Sequence, residues 1–589
     1  MRVFAGLCLL LGGSAWAQPA LLQPGQERAI TEALSLRDLR EIPDYSLDIS
    51  LSDRSGHFEG RGTLKWTNRT GRSQRVLPFL LHTNGHSGED MAIKGGMRVL
   101  SMSTRSGPEG RVERPRPSLA NYVLQEPLSV GDSIEVEFRW EGWLRNLGND
   151  DNDLFQQAFA SLGAMATPVG GADYGLLAAG DGLLTLASAY PMLAPYRNGE
   201  PQTDSPAEVG DLAWNQVAGF SVRIVTPAGL EVVTNLEESS RRSLKGGEEL
   251  LEAEGWGVRD LVFVASRRFG RSEAVYDGVR VRSWYLQEDS DAGEKSLEEA
   301  GEYLRFFSQR YGKYPFTELD VVEATLVGGA GGVEFSGMVL MAGFLYRDPG
   351  LSQHPLGMLM NSLSTLGAGA QTVDLADTIE GQRRFVLAHE LAHQWSPSLV
   401  GTNAHQSPVV DEPLAQYLAG RAIQHQLGET EGAFQRDQNV LLNYALFRLV
   451  GGQDAAADRP TGEYGGTLEY AALIYGKAPY LYVDLEKRLG KQRLDRALRG
   501  AVGQLSWKIA YGDEWLRALE RNGADDAVSL GDRWWSGAHG DEDLGLDPEG
   551  HRALALILGE EAGAMTSEML AQMGLTPASL FSMLSAFGL

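Results

Sequence analysis

The stretch His389-Glu390-Leu391-Ala392-His393 constrains this chain more than any other, because it asks for a helix and for a second element packed against it. Residues four apart on a helix are neighbours, so the two imidazoles converge on one small cation, with Glu390 close enough to act on a water there. Residues 383–388 enter the motif with good helix formers and neither Gly nor Pro, and Pro397 stops the pattern. After His393 come 18 residues and then Glu412, within Asp411-Glu412-Pro413. Asp411 suits a helix cap and Pro413 a first-turn position, so a second helix should begin here and hold Glu412 facing inward. Two His and one Glu leave a fourth tetrahedral position open, the catalytic rather than the structural form of a zinc site. Imidazole nitrogens are poor ligands for Mg²⁺ and Ca²⁺, so the expected cofactor is Zn²⁺, one ion per chain.

Three further motifs extend this pattern. Upstream lies Gly331-Gly332-Val333-Glu334-Phe335-Ser336-Gly337, and downstream Tyr475-Gly476-Lys477-Ala478. Weaker similarities run from Tyr190-Pro191 through Tyr314-Pro315-Phe316 to Trp534-Trp535. In this order and spacing the chain resembles the gluzincin metallopeptidases of the aminopeptidase N and leukotriene hydrolase family, as a bacterial exported member. The resemblance implies that His389, His393 and Glu412 hold zinc, that Glu390 is general base and proton shuttle, and that Tyr475 stabilises the tetrahedral oxyanion. It further implies that Glu334 binds the free α-amino group of a peptide, with Gly331, Gly332 and Tyr470 also on the substrate side. The chain departs from the family at Phe335, where an Asn is usual, at Pro413 after the third ligand, and at Ala478 after Tyr-x-Lys. The interval between Glu334 and His389 is long, and 348–377, which contains Leu356-Gly357-Met358-Leu359-Met360, reads as an insertion that could cover the cleft.

At 589 residues the chain is too long for one core, and 43% hydrophobic residues are ample to fill several. A net charge of −26 argues against nucleic acids and anionic membranes as partners, since both would repel it. Arg2, the apolar run 3–11 and Ala15-Trp16-Ala17 before Gln18 form a secretory signal pattern over 1–17, so the product is expected to be exported, periplasmic or secreted. Cys8 is the only cysteine and would leave with that signal, which excludes disulfides and thiolate zinc sites from the mature chain. No later stretch approaches a membrane span, and nothing indicates an oligomeric state.

Strand signals dominate from Tyr45 to about Phe269. Tyr45, Leu47, Ile49 and Leu51 alternate with polar residues, as do Ile134, Val136, Phe138 and Trp140, and Phe220, Val222 and Ile224. The Gly/Ala-rich centre, 149–182, reads as loops. Strands over 279–284 and 319–324 should flank a helix over 295–311 in a mixed sheet, with helices over 493–502, 514–521 and 551–562 beyond. The expected fold is multidomain α+β: an N-terminal antiparallel β-sandwich over 18–270, a catalytic domain over 271–545 that the resemblance makes thermolysin-like, and a short helical tail over 546–589.

Several residues keep a second reading. Tyr464, Tyr480 and Tyr482 compete with Tyr475 and Tyr470, although only Tyr475 has a Lys two residues on. His405 and His425 read as structural, because the ligand set is complete without them. Asp411 could be a cap or an orienting partner of a ligand. The expected activity is removal of N-terminal residues from peptides with a free amino terminus. An endopeptidase or other zinc hydrolase on the same fold, and a silent zinc-containing peptide-binding protein, are the alternatives.

Overall fold

The computed structural model describes residues 19–53, 55–84, 95–148, 174–347 and 375–586, with backbone alone at 375–378 and 582–586. Alternating side chains build the first half. In the strand Asp44–Leu51, Tyr45, Leu47, Ile49 and Leu51 are buried while Ser46 and Ser50 face water. Ser133–Trp143 repeats the pattern with Ile134, Val136, Phe138 and Trp140 inside. Both lie in a seven-stranded sheet of order Glu237–Leu244, Glu248–Val258, Ala218–Pro227, Asp44–Leu51, His57–Thr67, Ser133–Trp143, Gly96–Ser106. Smaller sheets cover its dry face: Phe79 of Gln74–Leu80 packs on Phe138 with ring centroids 6.0 Å apart. Tyr45 stacks on Phe220 at 5.2 Å and its hydroxyl accepts the Leu193 N–H.

The sandwich is not antiparallel throughout, which corrects the sequence reading. Asp44–Leu51 runs parallel to Ala218–Pro227, with Tyr45 opposite Phe220, and Arg145–Asn146 runs parallel to Leu177–Gly180. Alternation of side chains is the same for either strand direction, so the pattern cannot report it. Leu177–Gly180 also replaces loop with strand at the end of 149–182, while 149–173 lies outside the described residues, as does the proposed signal segment 1–17.

The second half begins with a mixed five-stranded sheet of order Phe269–Tyr276, Val279–Leu286, Glu318–Ala324, Met338–Ala342, Gly332–Phe335. Val279–Leu286 and Glu318–Ala324 are parallel and joined by helix α1 (Ser290–Tyr311), the expected crossover. Two more helices carry the zinc motif: α2 (Leu375–Ala392) and α3 (Glu412–Leu427). The candidate insertion 348–377 falls outside the described residues except for 375–377, which already belong to α2. Arg383, 1% exposed on α2, donates to Glu299 Oε2 at 2.7 Å and to Ser296 Oγ at 2.8 Å on α1. Trp395 Nε1 donates to the Gly312 carbonyl at 2.9 Å, fixing the end of α2 to the end of α1.

Helices follow to the C-terminus. The expected helix over 551–562 is two, His551–Leu558 and Glu560–Gln572, because Gly559 takes φ 85° between them. Among the described residues no helix is long and apolar enough to cross a membrane.

Replacing Arg383 with Met should destabilise the α1–α2 pair by about 3 kcal/mol, since it strips a buried carboxylate of one partner. Urea unfolding of both proteins measures this, and an unchanged midpoint would mean that Arg384, which also donates to Glu299 at 3.0 Å, holds the carboxylate alone.

Candidate active site

The convergence that the sequence asked for is present. His389 Nε2 lies 3.2 Å from Glu412 Oε2 and 3.1 Å from His393 Nε2, and His393 Nε2 lies 3.5 Å from Glu412 Oε2. Metal bonds of about 2.0–2.1 Å give a tetrahedron with edges of about 3.3–3.4 Å, so these three atoms fit one face around a zinc ion. Two of the three candidate ligands, His393 and Glu412, are fixed from behind, whereas His389 Nδ1 has no hydrogen-bond partner among the described residues. His393 Nδ1–H donates to the Ser396 carbonyl at 2.7 Å, which leaves Nε2 as the lone-pair nitrogen. Asp411 is the cap: its Oδ1 accepts the Glu412 N–H at 2.9 Å, its other oxygen accepts the Thr402 hydroxyl, and Pro413 fills the first turn.

A cavity of about 510 Å³ opens over the triad. One wall is the strand Gly332–Phe335, the last in its sheet among the described residues, with Glu334 opposite Val339 of the neighbouring strand. A carboxylate oxygen of Glu334, one of Glu390 and a nitrogen of His393 lie within 4.8 Å of one another. Gly332 permits this approach: a Cβ there would sit 2.5 Å from Glu390 Cγ. Glu390 is 5% exposed and its Oε2 has no hydrogen-bond partner among the described residues. Burial pushes Glu390 well above the usual carboxylate range, opposed by His393 and reinforced by Glu334 and Glu412. Burial likewise raises Glu334 to about 7, against the pull of His393.

Tyr475 and Tyr470 both line the cavity, with Tyr475 5.9 Å from the His389 ring and 5.9 Å from Tyr470 between centroids. Burial holds the Tyr475 hydroxyl well above its ordinary value, so it stays a proton donor. Lys477 has a different job from a cavity residue. Fully buried, it donates to Asp454 Oδ1 at 2.7 Å, to the Gly537 carbonyl at 2.9 Å and to the Ala455 carbonyl, pinning the wide turn Ala471–Lys477 that carries Tyr475. Tyr464 packs behind Tyr470 at 5.0 Å, Tyr480 stacks on Trp534 at 5.6 Å, and Tyr482 accepts the Trp515 N–H at 2.8 Å. His425 lies against Phe306, and His405 Nε2 bonds the Asp211 carbonyl at 3.1 Å, so neither joins the triad.

Tyr174, from the 149–182 segment whose loops the sequence brings toward the cleft, lines the same cavity as Glu334 and Glu412; sequence reasoning missed Asp211 and Trp214, which line it too and come from a segment with no periodic pattern. Burial drives the Asp211 carboxylate well up, and Glu334, Glu412 and Asp411 add to it. Only the tertiary fold brings this segment across to the zinc motif.

No protein-family model matches the chain. It is similar to aminopeptidase N of Canis lupus familiaris, 24% identical over 384 residues, or 61% of this chain and 32% of that protein. It is also similar to aminopeptidase N of Rattus norvegicus, 26% identical over 250 residues, or 40% of this chain and 22% of that protein. The matches thus span a third or less of the curated relatives' length. Among solved structures, an M1 zinc metallopeptidase mutant from Deinococcus radiodurans, free and bound to a Tyr-Ser-Ala substrate, superposes with TM-score 0.54 at 16% identity, covering 85% of this chain and 94% of that one. At that identity the likeness establishes the fold. Relatives and neighbours are aminopeptidases N and M1 zinc metallopeptidases, in keeping with the resemblance carried by the sequence motifs.

Zinc binding should release about one proton near neutral pH. Burial opposes charge on His393, but Glu334, Glu412 and Glu390 outweigh it and raise the imidazole well above its ordinary value, so it is protonated until a metal displaces the proton. Burial lowers His389, which has no proton to lose there. Affinity should therefore fall as pH drops through neutrality. Competition with a chromophoric chelator measures the slope, and a flat profile would mean that both imidazoles are neutral in the apoprotein.

Proposed function

We propose that this chain is a zinc-dependent aminopeptidase of the gluzincin family, which removes N-terminal residues from peptides. The observation that carries the reading is the convergence of His389 Nε2, His393 Nε2 and Glu412 Oε2, 3.1 to 3.5 Å apart, beneath a cavity that also receives Glu390 and Glu334. The 271–545 region is assigned as a thermolysin-like catalytic domain, with the sandwich over 18–270 before it and the helical tail 546–589 after it. Export after cleavage behind Ala17 belongs to the same proposal.

His389, His393 and Glu412 would hold a zinc ion, which would supply a Lewis acid able to lower the pKa of water and polarise a carbonyl. Glu390 takes the proton of the attacking water and hands it to the leaving nitrogen, a transfer open to a buried carboxylate whose Oε2 has no hydrogen-bond partner among the described residues. The Tyr475 hydroxyl donates to the oxygen on which charge develops, an interaction stronger in the transition state than in the ground state. Glu334 pairs with the α-ammonium group, and that cation restores the charge that burial suppresses. A substrate without the free amine would leave this carboxylate unpaired, which favours removal of terminal residues over internal cleavage. The outer edge of Gly332–Phe335 offers backbone groups to an extended peptide, as an added strand would use them.

Matched peptides, free or acetylated at the N-terminus, test the proposal when digested with and without a zinc chelator and followed by mass spectrometry. Chelator-sensitive, stepwise trimming of the free peptides alone is expected. Internal cleavage of both would make the protein an endopeptidase and remove the amine role from Glu334; zinc content without turnover would make it a binding protein. Glu390→Gln should retain zinc and lower kcat on the order of 10²–10⁴-fold. Tyr475→Phe should lower kcat on the order of 10²-fold with little change in KM. A Tyr475→Phe variant with weakened binding and full turnover would reject that role.

A further inference from the structure

The cavity carries more negative charge than peptide hydrolysis alone requires. Its lining holds the carboxylates of Asp211, Asp260, Glu334, Glu390 and Glu412 and, among the described residues, one arginine, Arg259. The Arg259 guanidinium is already committed to the backbone: it donates to the carbonyls of Ser398 at 2.8 Å, Asn215 at 2.9 Å, Leu399 at 3.2 Å and Lys508 at 3.2 Å. Asp260 is turned into the sandwich, where it accepts the Ser188 hydroxyl and the Leu261 N–H. Zinc would answer two of the remaining charges and a substrate's α-ammonium a third. One carboxylate is left over, and the buried, unpartnered Oε2 of Glu390 shows that the chain's own groups do not fill this site.

Asp211 is that carboxylate. It lines the same cavity as the zinc triad, and no hydrogen bond to its side chain is found among the described residues, whereas its backbone is held firmly. His405 Nε2 bonds its carbonyl at 3.1 Å, and the preceding Gly210 carbonyl accepts the Tyr174 hydroxyl at 3.1 Å. Gly210 has φ 82°, and a Cβ there would meet Thr461 Cγ2 at 2.9 Å and the Tyr470 hydroxyl at 3.1 Å, so the segment is pressed against the tyrosines. Tyr174, Tyr470 and Trp214 line the same cavity. A carboxylate that shares a cavity lining with aromatic rings suits an ammonium or guanidinium group, which can gain from both.

We propose that Asp211, in the cavity that Tyr174, Tyr470 and Trp214 also line, receives the cationic side chain of the substrate's first residue, so that the preferred substrates are peptides beginning with arginine or lysine. This rests on the aminopeptidase reading, in which Glu334 takes the α-amine and leaves Asp211 for the side chain.

The test compares peptides that differ only in charge at the first residue, arginine against its uncharged isostere citrulline, on the zinc-loaded protein and on Asp211→Asn. The wild type should favour arginine in kcat/KM by at least about tenfold, and Asp211→Asn should bring the ratio close to one, whereas a merely structural defect would lower both substrates alike. A wild-type ratio near one, or a ratio that survives in Asp211→Asn, overturns the proposal. Calorimetric binding of argininamide and citrullinamide to the same two proteins gives a readout independent of turnover. If no peptide is trimmed, the aminopeptidase reading fails separately. The binding ratio then still decides: equal affinities in the wild type overturn the assignment of Asp211, and a charge preference lost in Asp211→Asn upholds it as a cation site.

Discussion

Everything at the centre of this molecule follows from placing two imidazoles and a carboxylate, all buried, within hydrogen-bond distance of one another. Without a cation the arrangement is costly, because Glu390 and Glu412 are buried carboxylates and a carboxylate oxygen of Glu334 lies within 4.8 Å of one of Glu390. A divalent ion reverses the sign of that cost, and the supporting residues make sense as devices that hold the donors ready for it. The Ser396 carbonyl sets the tautomer of His393, and Asp411, itself held by Thr402, fixes the first turn of α3. Such partners orient ligands that would otherwise turn away.

The zinc helices are in turn located by contacts that have nothing to do with chemistry. Arg383 and Trp395 tie both ends of the motif-bearing segment to α1, and α1 is the crossover between parallel strands of the mixed sheet. The same sheet ends in Gly332–Phe335, so one scaffold presents Glu334 from its edge and Glu390 from the helix packed beside it. Gly332 is the point where these two meet, with no room for a side chain. Tyr475 arrives by a third route, on a wide turn anchored by Lys477, which explains why the Lys two residues on is informative although it never enters the cavity.

Local signals made half of this legible. Helical spacing placed His389 and His393, cap chemistry placed Glu412, and alternation of apolar residues located the strands around Tyr45, Ile134 and Phe220 because each has one wet face. Strand direction escaped, since Asp44–Leu51 reads the same parallel or antiparallel. So did the opposite wall of the cavity. Asp211 and Trp214 sit in an irregular segment whose backbone bonds go to distant partners, Gly210 to Tyr174 and Asp211 to His405, and no periodicity marks such a stretch. Tertiary contacts alone give those residues a position.

Arg259 shows why the two halves must be considered together. It belongs to the sandwich side, follows the strand Glu248–Val258, and spends its guanidinium on carbonyls of Ser398 and Leu399 just past α2, of Lys508 beyond them, and of Asn215 in the segment that carries Asp211. Burial lowers its pKa to about 9, still high enough to keep the charge at neutral pH. A neutral side chain there would leave the Ser398 and Asn215 carbonyls short of a donor, at about 1–3 kcal/mol for each one buried, while Leu399 and Lys508 keep backbone donors in Trp507 and Gly401. The cation therefore acts as a clamp between the wall bearing Asp211 and the turn that closes the zinc helix. Four of its five N–H groups are spent on these carbonyls, so Arg259 joins the segment that carries Asp211 to the turn after the zinc helix rather than offering a full fork to a substrate.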